Sequence, residues 1–363
     1  MATPTGAERR LLAAGLSYKA AGTAWGTAVT LGAGMGLNCK AISGFNRSQD
    51  LLVAAEIDNP IPFSGALDSI KPVDFTITTD MLYAPGALGT GIAMLFGTAG
   101  TPAVSTDTTD RLHTFQWADG MVGLYGTCAV EMPGKIWTVP SFKPMEWTLK
   151  SSGGGFVQSE LKCRGNSLVD TGGAVFGEMD ALTYDDRGAM GRVTFKQQLV
   201  YMNGQAVATD VTSTTALNAM GVEASFKRTG FDGVIPAGAT SILEPAEGGY
   251  PDIRVKLNFA HFDAANAAYL ATAIAETPQK MAIRYTGTVL AGATTVYHQM
   301  TLYFPRMRML MPEAGYDEIV KNGIELIAES ADTAAALPTG MSYFRPYMTI
   351  MNKRSTDYLT VHA

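Results

Sequence analysis

Four histidines, His113, His261, His298 and His362, are the side chains first asked to hold zinc or to move a proton near neutral pH. They lie far apart, and none stands at a metal-ligand spacing. The cysteines, Cys39, Cys128 and Cys163, are odd in number and form no C-x-x-C pair. Buried or half-buried thiols in a reducing compartment are therefore expected, not a disulfide framework or a zinc site. No G-x-S-x-G, H-E-x-x-H or G-x-x-x-x-G-K-[ST] occurs, so the hydrolase, metalloprotease and P-loop readings lack their signatures. "GALGTG", from Gly86 to Gly91, lies between a strand pattern and a helix pattern but lacks the glycine spacing of a dinucleotide fingerprint. Asp185 and Asp186 beside Arg187, and Glu313 with Asp317 and Glu318, offer carboxylates for acid–base or cation chemistry. Adjacent carboxylates in a strand or turn point apart, and both groups read as solvated loop charge. Trp117, Trp137 and Trp147 with Phe142 offer rings on which a sugar or an unpaired base stacks. With no basic cluster beside them they read as core or subunit-interface packing. No catalytic residue, cofactor-binding residue or metal ligand is assigned, and the chain is expected to be neither an enzyme nor a holder of a cofactor.

The elements that would position these residues are mostly strands. Val255, Leu257 and Phe259 alternate with Arg254, Lys256 and Asn258, the period of a strand with one face in a core. The same alternation runs through Asp74–Thr78, Lys280–Thr286 and His298–Phe304. Many of the 39 glycines punctuate such runs, in "SSGGGF", "TGG", "EGGY" and "MNGQ". Two segments predict helices. Asp263–Pro278 has an N-cap aspartate, Ala267, Leu270, Ala271 and Ile274 on one face, and a terminating proline. Ala84–Gly97 places Pro85 in a first-turn position and Leu88, Ile92 and Leu95 on one face, although Gly89 and Gly91 each cost roughly 1 kcal/mol relative to alanine. The first 30 or so residues read as an extended arm or mobile terminus, and Glu329–Gly340 as a long loop before a last strand, "YMTIMN".

The 363 residues have room for two domains and a large core. Hydrophobic residues make up 47% and charged residues only 17%, which suits a subunit largely covered by neighbours. The formal net charge of −6, from 27 basic and 33 acidic residues without basic clusters, is the wrong sign for gripping nucleic acid through its phosphates. It leaves room for DNA that only slides past. The N-terminal apolar run Leu11–Leu16 is too short for a signal peptide, and no stretch approaches the roughly 20 apolar residues of a membrane helix. A soluble protein made in the cytoplasm is expected.

"GMGLNCKAISGFN", Gly34–Asn46, is echoed by "AMGVEASFKRTGFD", Ala219–Asp232, and Phe75-Ile77-Thr79 by Val255-Leu257-Phe259, each about 180 residues on. In both halves a helix pattern follows the alternating strand. The pattern predicts a duplicated β-rich domain with one helix per copy: residues 1–188 as an N-terminal arm plus first domain, and 189–363 as the second. The boundary falls near Gly188, in the polar stretch Met179–Gly191.

The order of features resembles the tail tube (major tail) proteins of long, non-contractile-tailed bacteriophages. The resemblance lies in "YKAAGTAWGTAVTLGAGMGLNCKA", with its Trp25-Gly26-Thr27 element, in "MEWTLKSSGGGFVQSELKCRGNSL", and in "VKLNFAHFDAANAAYLATAIAE" followed by "YHQMTLYFPRMRMLMPE". It covers most of the chain and carries no catalytic residue. It implies a β-sandwich or half-barrel tube domain with a packed helix, joining its neighbours into a ring with a β-barrel lumen. It implies a virion tail location, after assembly in the host cytoplasm. A chain with two tube domains would form a homotrimeric ring of pseudo-sixfold symmetry, the alternative being a homohexamer. The implied partners are further copies of the chain, a tape-measure protein in the lumen, tail terminator and distal tail proteins, and DNA in passing, with no membrane. Against this stand three other readings: a β-rich decoration or tail-associated adhesion protein, a porin-like membrane barrel, and an enzyme of unrecognised type. The porin reading lacks a signal peptide and a terminal aromatic strand.

Overall fold

The computed structural model describes residues 13–19, 23–45, 50–54, 64–68, 72–104, 110–132, 135–170, 182–184, 191–231, 233–234, 241–259, 272–290, 292, 295–310, 322–331 and 337–359. The fold is mainly β. The first half holds β1 (Ala13–Tyr18), β2 (Ala41–Ser43), β3 (Asp50–Ala54), β4 (Ser64–Asp68) and β5 (Val73–Asp80), then α1 (Ala87–Phe96). β6 (Gly97–Ala99), β7 (Arg111–Trp117), β8 (Gly126–Met132), β9 (Lys135–Ser152), β10 (Gln158–Gly165) and β11 (Val169–Asp170) follow. The second half holds β12 (Gln198–Gly204), β13 (Ala219–Lys227), β14 (Asp252–Phe259), β15 (Gln279–Val289), β16 (Tyr297–Met309), β17 (Asn322–Ala328) and β18 (Tyr347–Asn352). Sixteen strands join one antiparallel sheet, while β3 and β4 pair only with each other.

Hydrogen-bond pairing gives the two halves the same strand order. One run reads β2-β5-β10-β9-β8-β1, the other β13-β14-β17-β16-β15-β12. The starts of the two long strands match as well, for β11 lies beside β9 as β18 lies beside β16. A bulge fixes the correspondence residue by residue. The ladder slips between Gly126 and Cys128 opposite Phe142 and Val139, and again between Gln279 and Met281 opposite Met307 and Phe304. Pro140 and Pro305 sit inside these bulges, where a missing N–H leaves no ladder bond unmade.

The echo in the sequence points to the right strands but not to matching rungs. Ile77 pairs with Ile42 and Leu161, and Leu257 with Val222 and Ile324, so Val222 corresponds to Ile42. Met35–Leu37 precedes β2. There Gly36 bridges Gly15, and a Cβ on it would lie 2.7 Å from the Thr183 carbonyl, so close backbone approach accounts for that glycine.

The two runs share one core. Phe96 of α1, Trp147 of β9, Phe226 of β13 and Phe304 of β16 are all buried and in contact, with Phe226 5.1 Å from Phe96, 5.3 Å from Trp147 and 5.7 Å from Phe304 between ring centroids. Each such ring removed from water contributes about 1.5–3 kcal/mol. α1 differs from the amphipathic helix expected: all ten of its residues are buried. Gly89 and Gly91 make this possible, since a Cβ would lie 2.4 Å from the Tyr358 ring at one and 2.6 Å from Leu161 at the other. Pro85 precedes the helix, which starts after Gly86 at φ 54° and stops at left-handed Gly97.

The N-terminal reading as an arm is corrected where the chain is described. Ala13–Tyr18 pairs in register with Glu131–Gly126, and Leu16 is buried. Burying its alternate apolar residues makes this stretch a strand of the sheet. Of the helix predicted at Asp263–Pro278, Thr272–Ile274 is described and helical, Ala275–Pro278 is described as a turn and extended chain leading out of it, and residues 263–271 lie outside the described residues. The boundary near Gly188 lies outside them too, as do residues 332–336 of the loop expected at Glu329–Gly340, whose described residues 329–331 and 337–340 form no strand or helix.

Candidate functional site

Seven strands in the order β2-β5-β10-β9-β13-β14-β17 run as one surface through both halves. One side of it is the core, carrying Phe75, Leu161, Trp147, Phe226, Val255 and Leu326. Alternation puts the polar residues of the same strands on the other side. Acids and bases face each other there across adjacent strands. Arg164 lies directly opposite Asp74 and donates from Nε and Nη2 to the two carboxylate oxygens at 2.7 and 2.8 Å. Lys162 lies opposite Glu146 at 3.0 Å, Lys150 opposite Glu223 at 3.9 Å, and Lys256 opposite Glu325 at 3.6 Å. Lys150 also reaches Glu160 at 3.5 Å, and Arg254 reaches Asp252 at 2.7 Å and Glu325 at 3.0 Å. These carboxylates hold the Arg254 guanidinium above its ordinary range. Each exposed pair contributes little to stability, about 0–1 kcal/mol. Together they intersperse the two signs across the surface.

The surface is continuous because the halves meet edge to edge. Glu146–Ser152 of β9 pairs with Lys227–Gly221 of β13, and the chain between β13 and β14 folds back over the first half. Arg228, 3% exposed, donates from Nε to the Leu95 carbonyl at 2.7 Å, from Nη2 to those of Phe96 and Ala118, and from Nη1 to both oxygens of Glu247. A guanidinium on the last carbonyls of α1 suits the negative end of the helix dipole, and it lies 4.2 Å above the Trp117 ring. Lys143, 2% exposed, reaches Glu244 at 2.6 Å and the carbonyls of Met121 and Pro245 at 3.0 and 3.2 Å. Trp25 donates from Nε1 to the Ile242 carbonyl at 2.8 Å. Two further buried amines bind oxygens away from this joint: Lys19, lowered to about 8 by burial, on Ser141 Oγ, and Lys280 on the carbonyls of Val207, Thr209 and Thr339.

The residues first weighed for chemistry are dispersed. His113 is buried and donates from Nε2 to Asn352 Oδ1 and the Arg354 carbonyl at 3.1 and 2.9 Å. Burial first, with Arg354 and Arg111 nearby, pushes it down to about 4. His298 is buried against Tyr83 and is also lowered by burial. Cys128 and Cys163 are buried and Cys39 half-buried, all free thiols, with burial raising the first two. Trp117 and Trp147 meet around Phe96, Phe142 packs on Phe75, and Trp137 flanks the core elsewhere, so they form no stacking platform. His261, His362, Asp185, Asp186, Arg187, Glu313, Asp317 and Glu318 lie outside the described residues. Among the described residues no His, Cys, Asp and Glu group is placed to hold a metal, and no helix is long and apolar enough to cross a membrane.

The charge ladder was missed in the sequence, although "DIRVKLNF" and "QSELKCRG" carry its signal in charged residues at every second position. No protein-family model matches the sequence, and no curated protein is similar to it.

Proposed function

We propose that the protein is a tail tube subunit of a long-tailed, non-contractile bacteriophage: a structural virion protein whose copies close into rings and stack into the tube through which genomic DNA passes. The observation that carries this reading is the seven-strand surface, shared by two runs of equal strand order and joined edge to edge between β9 and β13. Two such runs read as two tube domains in one chain, residues 1–188 and 189–363, so that three chains supply six units to a ring. The polar face of the surface is the lumen wall. Its bases Lys150, Lys162, Arg164 and Arg254 are matched by acids within hydrogen-bond or ion-pair distance, which leaves a passing polyphosphate few free cations to hold it. Joining strand edges from unit to unit removes the open edges that invite aggregation, and a head-to-tail contact that closes makes a ring. In this reading the partners are further copies of the chain, a tape-measure protein during assembly, tail terminator and distal tail proteins at the two ends, and DNA in transit.

Electron microscopy of the purified protein tests the reading. Rings or tubes with threefold class averages of pseudo-sixfold outline are expected, and a monodisperse monomer across salt, pH and concentration overturns it.

A further inference from the structure

The strands of the seven-strand surface run between two ends, and large apolar side chains are exposed at both. At one end β9 turns into β10 through Gly153–Gly155, beside the start of β13 and the last residues of β5 and β14. Phe156 and Met220 are exposed there. Arg192 lies 5.1 Å from the centre of the Phe156 ring. Arg192 and Lys40, both exposed, share one buried carboxylate, that of Asp80, at 3.7 and 2.5 Å. At the other end the chain leaves β13 and returns at the start of β14, and Leu243 and Tyr250 of that segment are exposed, Tyr250 to 93%. The Gly123 amide donates to Glu244, which sets exposed Val122 beside Leu243. A cleft of about 570 Å³ opens at this end, its lining including Trp117, Asp119, Tyr250, Pro251 and Pro346. Asp119, on its rim, is 87% exposed and pairs with Arg345.

We infer that these two ends meet between copies in successive rings: Phe156 of one copy packs on Tyr250 at the mouth of the cleft in the next, and Arg192 reaches Asp119 there. Three observations select a second copy of the chain as the occupant. The ends belong to the same strands, so copies stacked head to tail present one end to the other. The hairpin lies between β9 and β10 and the Tyr250 segment between β13 and β14, two places along the order β10-β9-β13-β14. A sideways shift of roughly 10 Å therefore sets one over the other. The charges are complementary as well. Two exposed cations share one carboxylate beside Phe156, whereas the cleft is lined by Asp119, Glu247 and Glu329 against Arg228 and Arg345. The inference rests on the ring-forming reading and adds to it which ends of successive rings touch, and through which side chains.

Electron microscopy and sedimentation of variants test it. Phe156→Ser and Tyr250→Ser are expected to form rings as the unaltered protein does, and to raise the concentration at which rings stack into tubes by at least about tenfold. The melting temperature of the unassembled chain should be kept, since both side chains are exposed. Asp119→Asn should raise the stacking concentration about two- to fivefold at low salt. A chain carrying both Phe156→Cys and Tyr250→Cys should, once assembled and oxidised, run as a ladder of linked chains in a denaturing gel. Leu199→Cys with Tyr250→Cys, which moves the first thiol to β12 outside the seven-strand surface, should give no ladder. Tubes formed at the unaltered concentration by either serine variant, or no ladder from the first cysteine pair, overturn this inference and leave the ring reading standing. Loss of the rings themselves in either serine variant does the same, because the contact is placed between rings. An unchanged stacking concentration for Asp119→Asn overturns the ion pair alone. Unaltered rings that never stack overturn the inference, and failure of the unaltered protein to form rings overturns both readings.

Discussion

Lys143 and Arg308 hold the same place, one residue past a proline bulge in a long strand, and live in different surroundings. Lys143 is sealed beneath the second half, its ammonium spread over one carboxylate and two carbonyls. Arg308 remains a third exposed, paired with Glu329 and Glu276. Burial alone would raise the Glu329 carboxyl, but Arg308 and Arg306 outweigh it and hold it low. The same strand geometry thus yields a closed joint where the segment after β13 lies over it and a partly exposed side chain at the matching place in β16. Surroundings, not local fold, set the difference.

The sharpest way to break the closed joint is Arg228→Ala. It leaves Glu247 and the last carbonyls of α1 unpaired inside the protein, and a loss of about 3–5 kcal/mol of unfolding free energy is expected in chemical denaturation. A second seam between the halves, where β7 pairs with β18, sharpens the comparison through pH. His113 sits there with a folded-state value of about 4, below the roughly 6.5 of an unfolded histidine. Its contribution is complete above about pH 6.5 and falls as pH drops through the window to about 4, by up to about 3 kcal/mol. His113→Gln should flatten that slope in thermal melts. The smallest effects compare the matched pair itself. Lys143→Ala should cost about 2–3 kcal/mol by stranding Glu244 beside buried carbonyls, whereas Arg308→Ala should leave the melting temperature of the unassembled chain where it is. Equal losses at the two positions would show that the matched sites are not in different surroundings.

Much of the architecture was legible in the sequence because a half-buried strand writes its period directly. The runs around Phe75, Val255, Ile283 and Leu302 appear as β5, β14, β15 and β16. β9 was harder, since Pro140 and Pro144 interrupt its 18 residues and only the bulges explain how a strand carries them. The polar face needed register as well as period: that Lys150 meets Glu223 depends on how two distant strands align. The burial of the cations Lys143, Lys280 and Arg228 left no signal in the sequence, because their partners are mainly backbone carbonyls, which every residue has and none advertises.

The glycine under Tyr358 bears on the order in which this molecule comes into being. The helix from Ala87 to Phe96 is emitted early from the ribosome, yet the ring that closes over Gly89 belongs to residue 358, and the strand beside β7 spans Tyr347–Asn352. Closing loops of that length is slow. The central helix has no finished pocket until the chain has been made as far as Tyr358, which ties closure of this part of the core to a segment far downstream of the helix.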